Sequence, residues 1–293
     1  MNQFPLRPLL FGEVLFDCFP DGSEVLGGAP FNVAWHLQAF GAAPVLITRV
    51  GADAAGARVA VALRDWGMDC RGLQHDPARA TGRVKVSFDH GEPVYDIVTD
   101  SAWDAIQADA LPAFEGRWLL YHGSLALRSA ASVQALRQLR AVTDSLVYCD
   151  VNLRAPWYQV AQLMPLLHQA TWIKLNAAEL VTLAPVADTN AALRAVVGPA
   201  ARAVLLTRGA EGAELHHLPE GVVLRVRPRQ RGQVMDSVGA GDAFCSVMLL
   251  GLLRGWEPQL MLQRAQDFAS RVVGLRGATT RDRDFYARAM HGW

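Results

Sequence analysis

Apolar positions fall in two rhythms along this chain. Short continuous apolar runs read as buried strands, and longer stretches with apolar residues three and four apart read as helices. Residues 9–17, Leu-Leu-Phe-Gly-Glu-Val-Leu-Phe-Asp, read as one buried strand ending in an acid, and an Asp21-Gly22 turn offers a hairpin into residues 23–26. Gly27-Gly28-Ala29-Pro30-Phe31-Asn32 then opens a helix that runs through Phe40 and stops at Gly41, with Phe31, Ala34, Trp35 and Leu37 at helical spacing. A second strand over 45–50 leads into the turn 51–56 and an Ala-rich helix to Trp66. From Thr81 to Thr99 the rhythm changes: 82–88 alternates, a turn falls at 90–93, and 94–98 returns. That is a hairpin with at least one wet face, serving as a lid over a site or as a decorated sheet edge.

Strand–helix alternation then resumes. Apolar strands are predicted at 118–121, 146–149, 171–175 and 203–206, and helices around 131–142 and 159–169, the latter interrupted by Pro165. The apolar run 244–253 reads as a buried helix. Each of the four strands is followed at once by polar residues: His122-Gly123-Ser124, Asp150 to Arg154, Asn176 to Glu179, and Thr207 to Gly212. Ligands of open α/β sheets bind at the carboxyl ends of the strands, so this recurrence predicts a site along that rim. No linker, charge block or repeat divides the chain. The expectation is one α/β domain over 1–293 with a central, mostly parallel sheet and lid segments around 13–27 and 82–99.

Composition narrows the function classes. Half the residues are apolar (51%), enough for a large core, and 28 basic residues balance 28 acidic ones. A neutral chain lacks the basic excess of general nucleic-acid or anionic-membrane binders. The four cysteines, Cys18, Cys70, Cys149 and Cys245, are scattered without a CxxC pair or a Cys/His cluster at zinc spacing, as free thiols of a reducing compartment would be. With no signal-peptide pattern at the N-terminus, a cytoplasmic location is expected.

The densest chemistry lies in Asp236-Ser237-Val238-Gly239-Ala240-Gly241-Asp242-Ala243-Phe244, at the entrance to the apolar helix. Glycines let backbone approach a ligand, and the first N–H groups of a helix are unpaired and favoured by its dipole, which together make an anion site. Asp242 is awkward beside an anion unless it takes a proton from a hydroxyl attacking that anion; otherwise it is a first-turn acid complementing the dipole. The stretch is neither a dinucleotide fingerprint, because Phe244 replaces the third glycine, nor a GxxxxGK[ST] loop. The only lysines, Lys85 and Lys174, follow no glycine loop. Asn32, in the first turn of its helix, is either a local cap or an amide free to reach a ligand.

These separated stretches together resemble the ribokinase-like (PfkB) carbohydrate kinases over the whole chain. DSVGAGDAF matches the C-terminal signature, with Ser237 where Thr is more usual, and GGAPFNVAWHL followed by RVGADAAG matches the N-terminal one. GEVLFD, GGAPFNVA, DVNLRAPW and AWDAI look most like fructokinases. The resemblance implies a ribokinase-like αβα sandwich with a small β-hairpin lid, and an ATP-dependent transfer of the γ-phosphoryl group to a primary hydroxyl of a sugar, fructose above all. It makes Asp242 the base and Gly239, Ala240 and Gly241 the anion hole. It assigns Asp17, Gly28, Asn32 and Arg154 to the sugar, Arg154 within a motif shared with Asn152 that lies close to the phosphates or the substrate, and Thr207, Gly209 and Gly212 to the nucleotide. Asn176 and Glu179 would hold Mg2+, partly through water, and Asp236 with residues 270–277 would be the place for K+. Pairing of two lids into a homodimer is the further expectation. A kinase of ribose or of the sugar acid 2-keto-3-deoxygluconate, or a non-catalytic sugar or nucleotide sensor, shares most of these features. Trp103 and Trp157 serve either core packing or a sugar face.

Overall fold

The computed structural model describes residues 6–89, 92–228 and 238–293. In chain order the elements begin with β1 (Arg7–Phe11), β2 (Leu15–Cys18), β3 (Glu24–Gly27), α1 (Ala29–Ala39), β4 (Val45–Gly51), α2 (Ala54–Asp65) and β5 (Leu73–Asp76). They continue with β6 (Gly82–Asp89), β7 (Glu92–Ile97), β8 (Arg117–His122), α3 (Ala130–Val142), β9 (Asp144–Asp150), α4 (Val160–Leu167), β10 (Trp172–Asn176) and α5 (Ala177–Leu183). The last are α6 (Thr189–Val196), β11 (Ala203–Thr207), β12 (Ala213–His217), β13 (Val222–Val226), α7 (Ala240–Arg254), α8 (Pro258–Val272) and α9 (Arg283–Met290).

Nine strands form one sheet in the order β13-β12-β11-β10-β9-β8-β1-β4-β5, parallel except that β12, near one edge, runs antiparallel to both β11 and β13. Its inner strands are apolar on both faces, as strands covered by helices on both sides must be. Leu10, Leu46, Leu119 and Tyr121 pack with α1, α2, α7 and α8, whereas Leu9, Phe11, Ile47 and Leu120 pack with α3, α4, α5 and α6. The expected helix–sheet–helix sandwich is therefore present, built by the period-two alternation of each strand.

The single strand expected over 9–17 is instead two. β1 lies in the large sheet between β4 and β8, while β2 belongs to a second, four-stranded sheet ordered β3-β2-β6-β7. A run that stays buried while changing sheets carries no polar break to mark the change. In the second sheet one face carries Leu15, Asp17, Val84 and Ile97, and the other Phe16, Arg83 and Lys85. Its root is tied to the large sheet through Asp53, the N-cap of α2. Asp53 accepts hydrogen bonds from Gly56 N (2.7 Å), Thr81 N (2.9 Å) and Thr81 Oγ1 (2.7 Å), and Thr81 directly precedes β6. Trp103 is fully buried in this root with Leu15, Val84 and Ile97, so it packs the core and covers no sugar face.

The chain runs from β1 to β4 on one side and reaches β8 on the other. The order of the large sheet therefore reverses beside β1, and the crevice outside the carboxyl ends of β1 and β8 is where such sheets bind ligands.

Candidate active site

At that crevice the expected residues converge from distant parts of the chain. Gly239 holds a left-handed backbone (φ +81°) as the N-cap of α7, and a Cβ there would lie 2.5 Å from Ala278 Cα. Only glycine fits both constraints. The turn aims the unpaired N–H groups of Ala240, Gly241 and Asp242 outward at the start of a 15-residue helix, the arrangement that attracts an anion. Asp236 and Ser237, the beginning of the same motif, lie outside the described residues.

Asp242 keeps part of its surface open to the crevice. Burial nevertheless pushes its carboxyl up to about 6; the Asn32 amide draws it down and the Asp150 carboxylate adds to the rise. Asn32 Nδ2 donates to Asp242 Oδ2 at 2.8 Å, a contact between residues 210 positions apart. Asn32 therefore does not cap its helix, whose N-cap is Gly28 and carries no side-chain bond. A Cβ placed on Gly27 would stand 3.5 Å from Asp17 Oδ2 and 3.8 Å from Asn32 Oδ1, so both side chains face one small volume. Gly28 sits against the backbone of Glu13, whose carbonyl a Cβ on Gly28 would meet at 2.7 Å. Asp17, Gly28, Asn32 and Asp242 are thus brought together. Arg154 is exposed, but its charge reaches Asp242 and Glu13 and lowers the proton affinity of both.

The neighbouring strand ends supply the other half of the rim. Asn176 at the end of β10 is in register with Thr207 at the end of β11. Asn176 and Glu179 form a capping box on α5: Asn176 Oδ1 accepts from Glu179 N at 2.9 Å, and Glu179 Oε2 from Asn176 N at 2.8 Å. Glu179 Oε1 also accepts from Leu153 N at 2.9 Å, which ties in the loop carrying Asn152 and Arg154. Gly209 and Gly212 flank the turn after β11 with φ +55° and +100°, and Gly212 packs on Val226.

Among the described residues no three His, Cys, Asp or Glu side chains gather to hold a metal. The donor set at Asn176 and Glu179 still suits a hard divalent ion. It is all oxygen, and each oxygen engaged in the capping box keeps a second lone pair for a water of a hydrated ion.

Three buried polar residues here were not singled out by the sequence reading. Lys174 Nζ pairs with Asp150 Oδ1 at 2.9 Å and would lie 3.2 Å from a Cβ on Gly241, placing an ammonium against the backbone that opens α7. Burial alone would pull Lys174 down, yet the adjacent Asp150 carboxylate holds its ammonium well above the usual lysine range. Asp150 Oδ2 accepts from Tyr121 Oη (3.2 Å) and Cys245 Sγ (3.3 Å), so the pair is anchored from both sides. Glu13 is the third. Burial lifts its carboxyl to about 7, against hydrogen bonds from its own N–H and that of Ala29; Asp242 raises it further. The available signal was a single charged residue inside an otherwise apolar run, Lys174 in WIKLN and Glu13 in LLFGEVLF.

The profile described as pfkB family carbohydrate kinase matches residues 19–284. A fructokinase of Klebsiella pneumoniae is 30% identical over 285 residues, covering 89% of this chain and 89% of its own. A crystal structure of a fructokinase of Vibrio cholerae O395 in fructose, ADP and calcium ion bound form superposes with a TM-score of 0.80 at 25% identity, covering 96% of this chain and 98% of that one. A double-mutant form of the same enzyme, in fructose, ADP and potassium ion bound form, gives 0.81 at 25% identity over 97% and 98% of the two chains.

Proposed function

We propose, from the premise that this chain belongs to the pfkB family of carbohydrate kinases, that its sugar is fructose and that it phosphorylates a primary hydroxyl. It is an ATP-dependent sugar kinase. The observation that carries the reading is the Asn32–Asp242 contact, which joins the residues of the sugar side to the head of α7.

In this reading the sugar hydroxyls pair with Asp17, Asn32 and the backbone at Gly28, and Arg154 closes on the same group. Asp242 Oδ takes the proton of the attacking hydroxyl as its oxygen bonds to the γ-phosphorus and the bond to the leaving ADP oxygen breaks. Phosphoryl transfer places charge on the peripheral oxygens, so prepositioned donors do most of the catalytic work. The N–H groups of Ala240, Gly241 and Asp242 offer such donors without reorganisation, with the Lys174 ammonium behind them. Thr207, Gly209 and Gly212 would receive the nucleotide. Magnesium bound with the nucleotide would neutralise phosphate charge, and Asn176 and Glu179 are the residues that would hold it, partly through water. A potassium ion would sit beside the anion hole, near 270–277 and Asp236. A cytoplasmic location completes the proposal; among the described residues no helix is long and apolar enough to cross a membrane.

The test is ADP release with Mg·ATP against fructose, ribose, 2-keto-3-deoxygluconate, tagatose and adenosine. Turnover with fructose well above the rest is expected. Preference for another member would overturn the sugar and keep the kinase, while ATP binding without any turnover would favour a sensor.

A further inference from the structure

Glu13 is unlike the other acids of the crevice. It stands two residues beyond the end of β1, at the point where the order of the large sheet reverses, and it is 2% exposed. Its Oε2 finds no hydrogen-bond partner among the described residues, and neither does the buried Oδ1 of Asn32. Both residues lie at the start of α1: Gly28, the N-cap of that helix, packs against the Glu13 carbonyl, and Asn32 is in its first turn. Glu13 feels the charges of Asp242 and Arg154, so its carboxyl shares their crevice.

Leaving a buried carboxyl oxygen and a buried amide oxygen unpaired costs free energy that folding alone does not return. What would satisfy both is a ligand with several hydroxyl groups, each able to donate and to accept. A sugar hydroxyl fits Glu13 whether or not its carboxyl holds a proton, because it can donate to a carboxylate or accept from a carboxylic acid.

We infer that Glu13 is a further sugar-binding residue, its unpaired carboxyl oxygen receiving a hydroxyl other than the one phosphorylated, so that it helps decide which hydroxyl pattern the site accepts. The inference rests on the sugar-kinase reading above. A site built to pair a hydroxyl rejects the analogue that lacks it, since the buried partner is then left alone.

The experiment measures kcat and KM for wild type, Glu13→Gln and Glu13→Ala with the preferred sugar and with its singly deoxygenated analogues, together with melting temperature. The sugar KM should rise about ten- to a hundredfold in both variants while the ATP KM stays within twofold. One deoxy analogue, penalised in the wild type, should lose most of that penalty in Glu13→Ala, the coupling that identifies a direct pair. Unchanged sugar KM in folded variants, or a parallel loss for every analogue with a lower melting temperature, would overturn the role of Glu13 while leaving the proposed function intact. A wild type that phosphorylates no sugar would overturn the proposed function and this inference with it.

Discussion

As the proposed base, Asp242 meets two opposing demands. A general base must be ionised, yet this carboxyl is enclosed and its proton affinity is raised to about 6. A raised carboxyl retains its proton longer in the folded protein than in the unfolded chain. Between about pH 4 and 6 the folded state therefore binds more protons, and the contribution of this group to stability falls as pH rises through that window. The proposed base would become competent over the upper end of the same window. kcat/KM for the sugar should fall on the acid side with an apparent pKa near 6, and Asn32→Ala, which removes the donor that lowers this value, should move that limb to higher pH. A limb unmoved in a folded Asn32→Ala variant would show that Asn32 does not tune the base. Asp242→Asn should cut turnover by roughly 10²–10⁴ without lowering the melting temperature, because it removes a partly buried charge. Wild-type turnover in that variant would make Asp242 structural. The sequence displayed Asp242 and Asn32 because glycines and helix starts surround them. It hid Glu13 and Lys174, since a lone charge in an apolar run reads as core until its partners are known.

At the scale of elements, strand ends and helix starts do the positioning. Asn176 and Glu179 lie three apart because that is the spacing of a capping box, which also fixes the 152–154 loop through Leu153 N. The arrangement explains why two residues expected at a metal also hold backbone. Asn176→Ala should lower stability by about 1 kcal/mol, the usual worth of an N-cap, and raise the KM for Mg·ATP. Loss of stability with unchanged nucleotide kinetics would confine Asn176 to capping. The strands 45–50, 118–121, 146–149, 171–175 and 203–206 were legible because each is a closed apolar run before a polar turn. β12 and β13 were not; they lie at the sheet edge, where polar and apolar residues mix in AELHH and VVLRV.

The whole molecule is a large covered sheet with a small sheet held over its crevice by the Asp53–Thr81 joint. Among the described residues the small sheet ends in two edges, since β3 pairs only with β2 and β7 only with β6. The face that carries Asp17 and Val84 also carries Val25 and Tyr95, which are 40% and 48% exposed. Apolar side chains beside open edges favour association, which would cover both. The expected homodimer would pair two copies through their small sheets. Light scattering should then give twice 31.9 kDa, and Val25→Glu combined with Tyr95→Glu should give monomers with a raised sugar KM. A wild type that stays monomeric with sugar and nucleotide present would leave the face to act alone, with Asp17 held by the fold of a single chain.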